Sequence, residues 1–150
     1  MQEFHVKQLN NLLCNNLSNL VKESKEEGFH FLERLMNEYK GGTNTFNEHG
    51  EALYGVFSKE GVCVAVGGLN IDPYSNQKII GRLRRFYVAK KNRRKGLGKL
   101  LLKRIIYDAE KHFQVIVLRT NTEQADKFYT SLGFTKEEKF PGSTHFLNLN

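Results

Sequence analysis

The spacing of apolar and polar residues divides the chain into strand-like and helix-like stretches. Glu3 to Lys7 alternates weakly and predicts a short first strand. From Leu12 to Tyr39 the repeat becomes helical, with Leu13, Leu17, Leu20 and Val21 on one face and Phe31, Leu32, Leu35 and Met36 on another. Gly28 parts this stretch into two helices. Lys40 to Gly50, rich in Gly, Thr, Asn and His, reads as a loop. Ala52 to Phe57 and Val62 to Leu69 predict strands joined by a turn at Glu60-Gly61. The Gly67-Gly68 pair inside the second predicts a bulge or a close backbone approach. A turn at Asp72 to Asn76 leads into a strand from Ile79 to Val88.

After Val88 a polar, basic loop ends at Gly96-Leu97-Gly98, and Leu97, Leu101, Ile105 and Ala109 then recur at the helical period. Val115 to Leu118 is wholly apolar, as in a strand covered on both faces. Ala125, Phe128, Tyr129 and Leu132 mark another helix, stopped by Gly133. Two strands close the chain, from Phe134 onward and from Ser143 to Leu149, around Pro141-Gly142. The order predicts one α/β domain over residues 1–150, a mixed sheet with helices packed on it.

Composition fits this picture, with 150 residues, 39% hydrophobic and 26% charged. It excludes a disordered chain, a collagen-like repeat or a coiled-coil rod. Cys14 and Cys63 fit no metal-ligand spacing and are too few for a disulfide framework, so no metal and a reducing, cytoplasmic setting are expected. Met1 to Lys7 does not open a signal peptide, and no apolar run approaches the ~20 residues of a membrane span.

Charge changes the picture more. Of 23 Lys and Arg residues, twelve lie in residues 78–104, a stretch without Asp or Glu, and the rest of the chain is mildly acidic. So local a field suits a compact polyanion such as a phosphorylated cofactor; a nucleic-acid stripe and a solvated basic surface remain alternatives.

The sharpest motif sits inside that stretch, at Arg93-Arg94-Lys95-Gly96-Leu97-Gly98-Lys99, between a strand and a strong helix. The first turn of a helix presents unpaired N–H groups and partial positive charge, and glycines let a bulky anion approach them. Pyrophosphate is a natural guest; a plain basic helix start is the alternative. The segment is not a P-loop, because Lys99 is followed by Leu100. Nor is it a dinucleotide fingerprint, because Leu101 stands at the third glycine.

Arg85-Phe86-Tyr87-Val88 followed by R-x-x-G-x-G and a Leu-rich helix resembles the acetyl-CoA-binding segment of the GNAT N-acetyltransferase superfamily. Ala125 to Phe134 is similar to that family's A-x-x-F-Y-x-x-L-G-F helix and following strand, and Ser143 to Leu147 to a terminal strand in some members. The likeness covers residues 79–149; across the N-terminal half it is one of element order.

The resemblance implies a mixed central sheet with two splayed strands, flanked by helices, and direct acetyl transfer from acetyl-CoA to an amine through a tetrahedral intermediate. No covalent enzyme adduct and no metal are implied. By position, Tyr87 and Val88 offer backbone groups to the pantetheine arm, and the Val88 amide polarises the thioester carbonyl. Amides and side chains of Arg93, Arg94, Lys95, Gly96, Leu97, Gly98 and Lys99 hold the pyrophosphate, and Asn121 lines the channel.

Tyr129 falls on the family's general-acid position, since a phenol can share a proton with a leaving thiolate. It also lies on an apolar stripe, so a buried tyrosine with a hydrogen-bond partner is the alternative to the favoured acid role. No general base is assigned, because the strand reads Arg82-Leu83-Arg84-Arg85 where relatives carry Glu. His145, Glu48, His49 and Asp72 read as surface or turn residues, and Tyr39, Tyr54, Asn70 and Tyr74 as packing residues. The arginines favour a substrate with its own carboxylate or phosphate.

The expected partner is a small-molecule or protein amine, with no membrane and no nucleic acid. A homodimer is compatible, but no stretch identifies its interface. A non-catalytic acyl-CoA-binding regulator on the same fold is the second reading. Nucleic-acid binding is the third, and it needs Phe86 and Tyr87 exposed for stacking.

Overall fold

The computed structural model describes residues 3–14 and 16–149. Its seven-stranded sheet comprises β1 (Phe4–Gln8), β2 (Ala52–Ser58), β3 (Cys63–Ile71), β4 (Ile80–Val88), β5 (Val115–Leu118), β6 (Thr135–Lys136) and β7 (His145–Asn148). The strand order is β1-β2-β3-β4-β5-β7-β6. All neighbours are antiparallel except β4 and β5, which are joined by the crossover helix α3 (Leu97–Ala109). The other helices are α1 (Ser18–Glu26), α2 (Phe31–Gly41) and α4 (Glu123–Ser131).

Local chemistry accounts for most of these elements. On α3 the residues Leu97, Leu101, Leu102, Ile105 and Ala109 form one buried stripe. Each large side chain buried there contributes roughly 1.5–3 kcal/mol relative to exposure. Tyr54 of β2 anchors the same helix by donating its hydroxyl proton to Asp108 Oδ2 at 2.6 Å. Gly28, at φ +90°, parts α1 from α2, and Gly42 ends α2 in the left-handed conformation. A single 3-10 turn at Leu12–Cys14 precedes α1, so the first helix begins later than the periodicity suggests. The last strands are shorter than expected, because the chain from Glu137 to Ser143 turns rather than pairing along its length.

The irregularity that matters lies between β3 and β4. Val66 pairs with Tyr87 and Gly68 with Arg84, so Arg85 and Phe86 together face the single residue Gly67. The bulge therefore belongs to β4, with Arg85 at φ +58°, rather than to the glycine pair. The glycines supply the close approach. A Cβ on Gly67 would lie 2.9 Å from the Phe86 ring, and one on Gly68 would lie 2.5 Å from Phe46.

β4 pairs with β5 only through Ile80, Gly81 and Arg82, after which the two strands diverge. The opening runs beside the bulge to the loop at residues 93–99. Two expectations for polar residues are corrected. Asp72 and His145 are buried rather than superficial, Asp72 by its ion pair with Arg82 at 2.8 Å and His145 by its hydrogen bond to Asp126 at 2.7 Å. Tyr74 is exposed, its ring stacked on the Arg82 guanidinium.

Candidate active site

The opening between β4 and β5 widens into a cavity of about 1300 Å³. Tyr87, Val88, Arg93, Arg94, Gly96, Leu97, Gly98, Lys99, Asn121 and Tyr129 all line it. Of the expected positions, only Lys95 is not brought into the wall; its ammonium lies 5.9 Å from the Phe4 ring.

At the loop end, Arg94 and Gly96 both take left-handed backbone, at φ +65° and +77°. Alternation of this kind curls consecutive amides into a concave nest for anions. Helix α3 starts at this nest with no side-chain cap, and its first-turn amides at Leu97, Gly98 and Lys99 precede the bond from Leu100 N to Gly96 O. A Cβ on Gly96 would meet nothing within 4 Å, so glycine is needed there for its φ and not for room. A Cβ on Gly98 would press to 3.2 Å on the Phe128 ring, across the cavity wall.

Arg93 does something the sequence does not suggest. Its two Nη atoms bind Glu27 at 2.6 and 3.1 Å, its Nε donates to the Val88 carbonyl at 3.0 Å, and it stacks on the Tyr87 ring. The loop is thereby tied to α1. Hydrogen bonds from Arg93 and then Tyr87 hold the Glu27 carboxyl down at about 2. Tyr87 is buried, its hydroxyl 2.6 Å from Glu23 Oε2 and 2.5 Å from Glu27 Oε1. Burial, reinforced by the two carboxylates, pushes its phenol far above the ordinary value. A ring so enclosed cannot act as a stacking platform for a nucleic acid.

Val88 presents its amide to the opening. Ala89 N donates to Val64 O, so Ala89 faces β3 in the ladder and Val88 faces the opposite way, where β5 has departed. Tyr129 lines the same cavity, 8% exposed, among Phe86, Phe128, Phe134 and His145 with ring centroids 5.1–6.3 Å away. Burial pushes this phenol well above its ordinary value, which keeps it protonated at neutral pH. Thr122 caps α4, its hydroxyl accepting from Ala125 N, and so fixes the helix that carries Tyr129.

The wall also holds residues that sequence reasoning missed. Asn92 is buried with its Oδ1 unpaired, and Glu27 and Arg34 arrive from α1 and α2. Asn92 lies in the turn just before Arg93 but carries no residue-type signal, while Glu27 and Arg34 are brought in from helices distant in sequence. Among the described residues Glu27 is the only carboxylate in the wall, and at about 2 it is a poor proton acceptor. Among the described residues no helix is long and apolar enough to cross a membrane.

Known proteins share this architecture. A family model described as "Acetyltransferase (GNAT) domain" matches residues 51–136. A protein assigned as an acetyltransferase from Exiguobacterium sp. 255-15 is 32% identical, with a TM-score of 0.86 over 97% of this chain and 93% of that one. A GNAT-family acetyltransferase from Staphylococcus aureus Mu50 superposes with a TM-score of 0.77 at 19% identity, covering 99% of this chain and 100% of that one. An acetyltransferase from Streptococcus agalactiae 2603 gives 0.74 at 20% identity, with 99% and 100% covered. The splayed mixed sheet, the glycine-containing loop and these likenesses together show that the chain belongs to the GNAT acetyltransferase family.

Proposed function

We propose that this protein is an acetyl-CoA-dependent N-acetyltransferase that passes the acetyl group straight to a primary amine. One observation supports the reading most. A single cavity has the uncapped amides of Leu97, Gly98 and Lys99 at one end and the Tyr129 phenol farther along the same wall. Its volume exceeds the usual 300–1,000 Å³ of a compact small-molecule pocket, as an extended ligand requires.

The residues fit coenzyme A. Arg94, Lys99 and the nest amides would hold the diphosphate, and the divergent edges of β4 and β5, with Asn121, would hold the pantetheine arm. When bound, acetyl-CoA supplies an acyl group activated as a thioester.

The chain's own residues do the rest. The Val88 N–H, free of the β3 ladder, offers a fixed dipole to a developing oxyanion. Tyr129 keeps its proton at neutral pH and can share it with a leaving thiolate through a hydrogen bond, its raised pKa favouring sharing over full transfer. Cys63 lies elsewhere in the core, its thiol pushed by burial up to about 11. With Glu27 unable to accept a proton near pH 7, the amine's proton passes to water in the open cavity.

Coenzyme A added to the protein is expected to raise its thermal midpoint, because binding confined to the folded state stabilises it. Tyr129→Phe is expected to lower kcat for thiol release by about 10²-fold or more, with coenzyme A affinity nearly unchanged. Equal turnover in the mutant overturns the acid assignment. Coenzyme A binding with no thiol release on any amine would instead favour the acyl-CoA-binding regulator.

A further inference from the structure

β4 sends three arginines into the wall of the cavity, and they are not equivalent. Arg82 is neutralised by Asp72 at 2.8 Å and also donates to the carbonyls of Gly142 and Pro141, both at 3.0 Å. Arg85 is paired with Glu38 at 2.9 Å. Among the described residues no carboxylate lies within ion-pair distance of Arg84, whose one hydrogen-bond partner is the Asn70 amide oxygen at 3.5 Å. Burial, then the neighbouring Arg85, presses its pKa below the ordinary guanidinium value. A second group there is also unused. Arg85 is 7% exposed, and its Nε–H is buried without a partner.

A half-buried cation with no acid in direct contact, only the more distant charge of Glu38, and a neighbouring orphaned donor are both costly unless something binds them. Their position indicates what that is. Along β4 from the phosphate loop come Val88, then Phe86 opposite Tyr129, and only then Arg85 and Arg84. These two therefore lie beyond Phe86 and Tyr129 as seen from the phosphate loop, in the part of the cavity wall that coenzyme A's diphosphate would not occupy. We propose that the acceptor is a small amine bearing its own carboxylate or phosphate, which Arg84 and the Nε–H of Arg85 bind. The proposal rests on the transferase reading above. Arg34 of α2, exposed in the same wall and without an ion pair among the described residues, adds a further positive charge. The left-handed backbone at Arg85 gives the strained bulge a purpose, since it brings two successive arginines into one cavity wall.

Matched amines test the proposal on the protein saturated with coenzyme A. Glycine is compared with glycinamide, and phosphoethanolamine with ethanolamine, by calorimetric affinity and by the KM and kcat of thiol release. The anionic member of at least one pair is expected to bind about tenfold tighter or more, the scale of a hydrogen bond to a charged group. The two pairs distinguish carboxylate from phosphate. Arg84→Gln is expected to erase that preference through KM while leaving coenzyme A affinity unchanged, and Arg84→Lys to restore part of it.

Equal binding of anionic and neutral twins overturns the proposal, as does a preference that survives Arg84→Gln. Failure of every anionic amine to bind overturns it too. Uptake of only an acidic peptide's amine would replace a small acceptor with a protein one. None of these results touches the transferase reading, which falls only if coenzyme A fails to bind or no amine releases thiol.

Discussion

At the scale of single residues, the site depends on a few backbone conformations that side chains rarely adopt. Gly96 sits at φ +77° with open space around its missing Cβ. Gly96→Ala is expected to cost about 1–2 kcal/mol of stability through left-handed strain alone. Gly96→Asp adds a negative charge beside the amide nest, so it is expected to weaken coenzyme A binding well beyond Gly96→Ala. Calorimetric titration of both variants separates strain from repulsion, and equal affinities would remove the nest from the binding site. Arg84 and Arg85 illustrate the same dependence on placement. They are identical neighbours in sequence, yet Glu38 contacts one directly and reaches the other only at longer range.

Among the elements, the bulge in β4 has the largest consequence. Ordinary pairing along β4 and β5 would close the cavity; pairing stops at Arg82 and the bulge turns the strand away. Gly67 permits this, because the Phe86 ring occupies the space where its Cβ would stand. Ile105 and Leu101 of α3 lie just behind. Gly67→Ala is therefore expected to destabilise the protein by about 1–3 kcal/mol, as overpacking does, and to lower turnover by displacing Phe86 from Tyr129. Thermal melts and kcat together check this. A stable variant with full turnover would show that the close approach does not shape the site.

For the molecule as a whole, charge is arranged across elements rather than along the chain. The basic stretch at residues 78–104 forms β4, the loop and the first part of α3, and acidic residues of α1 and α2 come to meet it. Glu27 holds Arg93, Glu38 holds Arg85, and Glu23 accepts from the Lys90 amide at 2.8 Å. This clamp gives the protein a definite acid response. Glu27 drops from 4.5 to about 2 on folding, so its stabilisation is complete above pH 4.5 and is lost as pH falls through about 2. Glu27→Gln is expected to lower Tm at pH 7, by about 2–4 °C for each kcal/mol lost. The gap from the unmutated protein is expected to close toward pH 2. A gap independent of pH would show that the Glu27 charge does not secure the loop.

What the sequence determined by itself is what short-range physics controls. The apolar stripe of α3, the buried run of β5, the glycine break before α3 and the tyrosine on α4 follow from periodicity and turn chemistry within a few residues. The loop at residues 93–99 was legible from its charge and glycines, whereas Tyr87, Val88, Asn121 and Tyr129 were singled out only by the resemblance of their motifs to a known family. Only tertiary structure decided that β7 lies between β5 and β6, that the bulge falls on β4, and that Arg93 serves α1. It alone made Asp72 and His145 interior residues and left Arg84 without an acid in direct contact among the described residues. Ion pairing and burial depend on which distant segments meet: Arg93 and Glu27 are 66 residues apart, and no local pattern records their encounter.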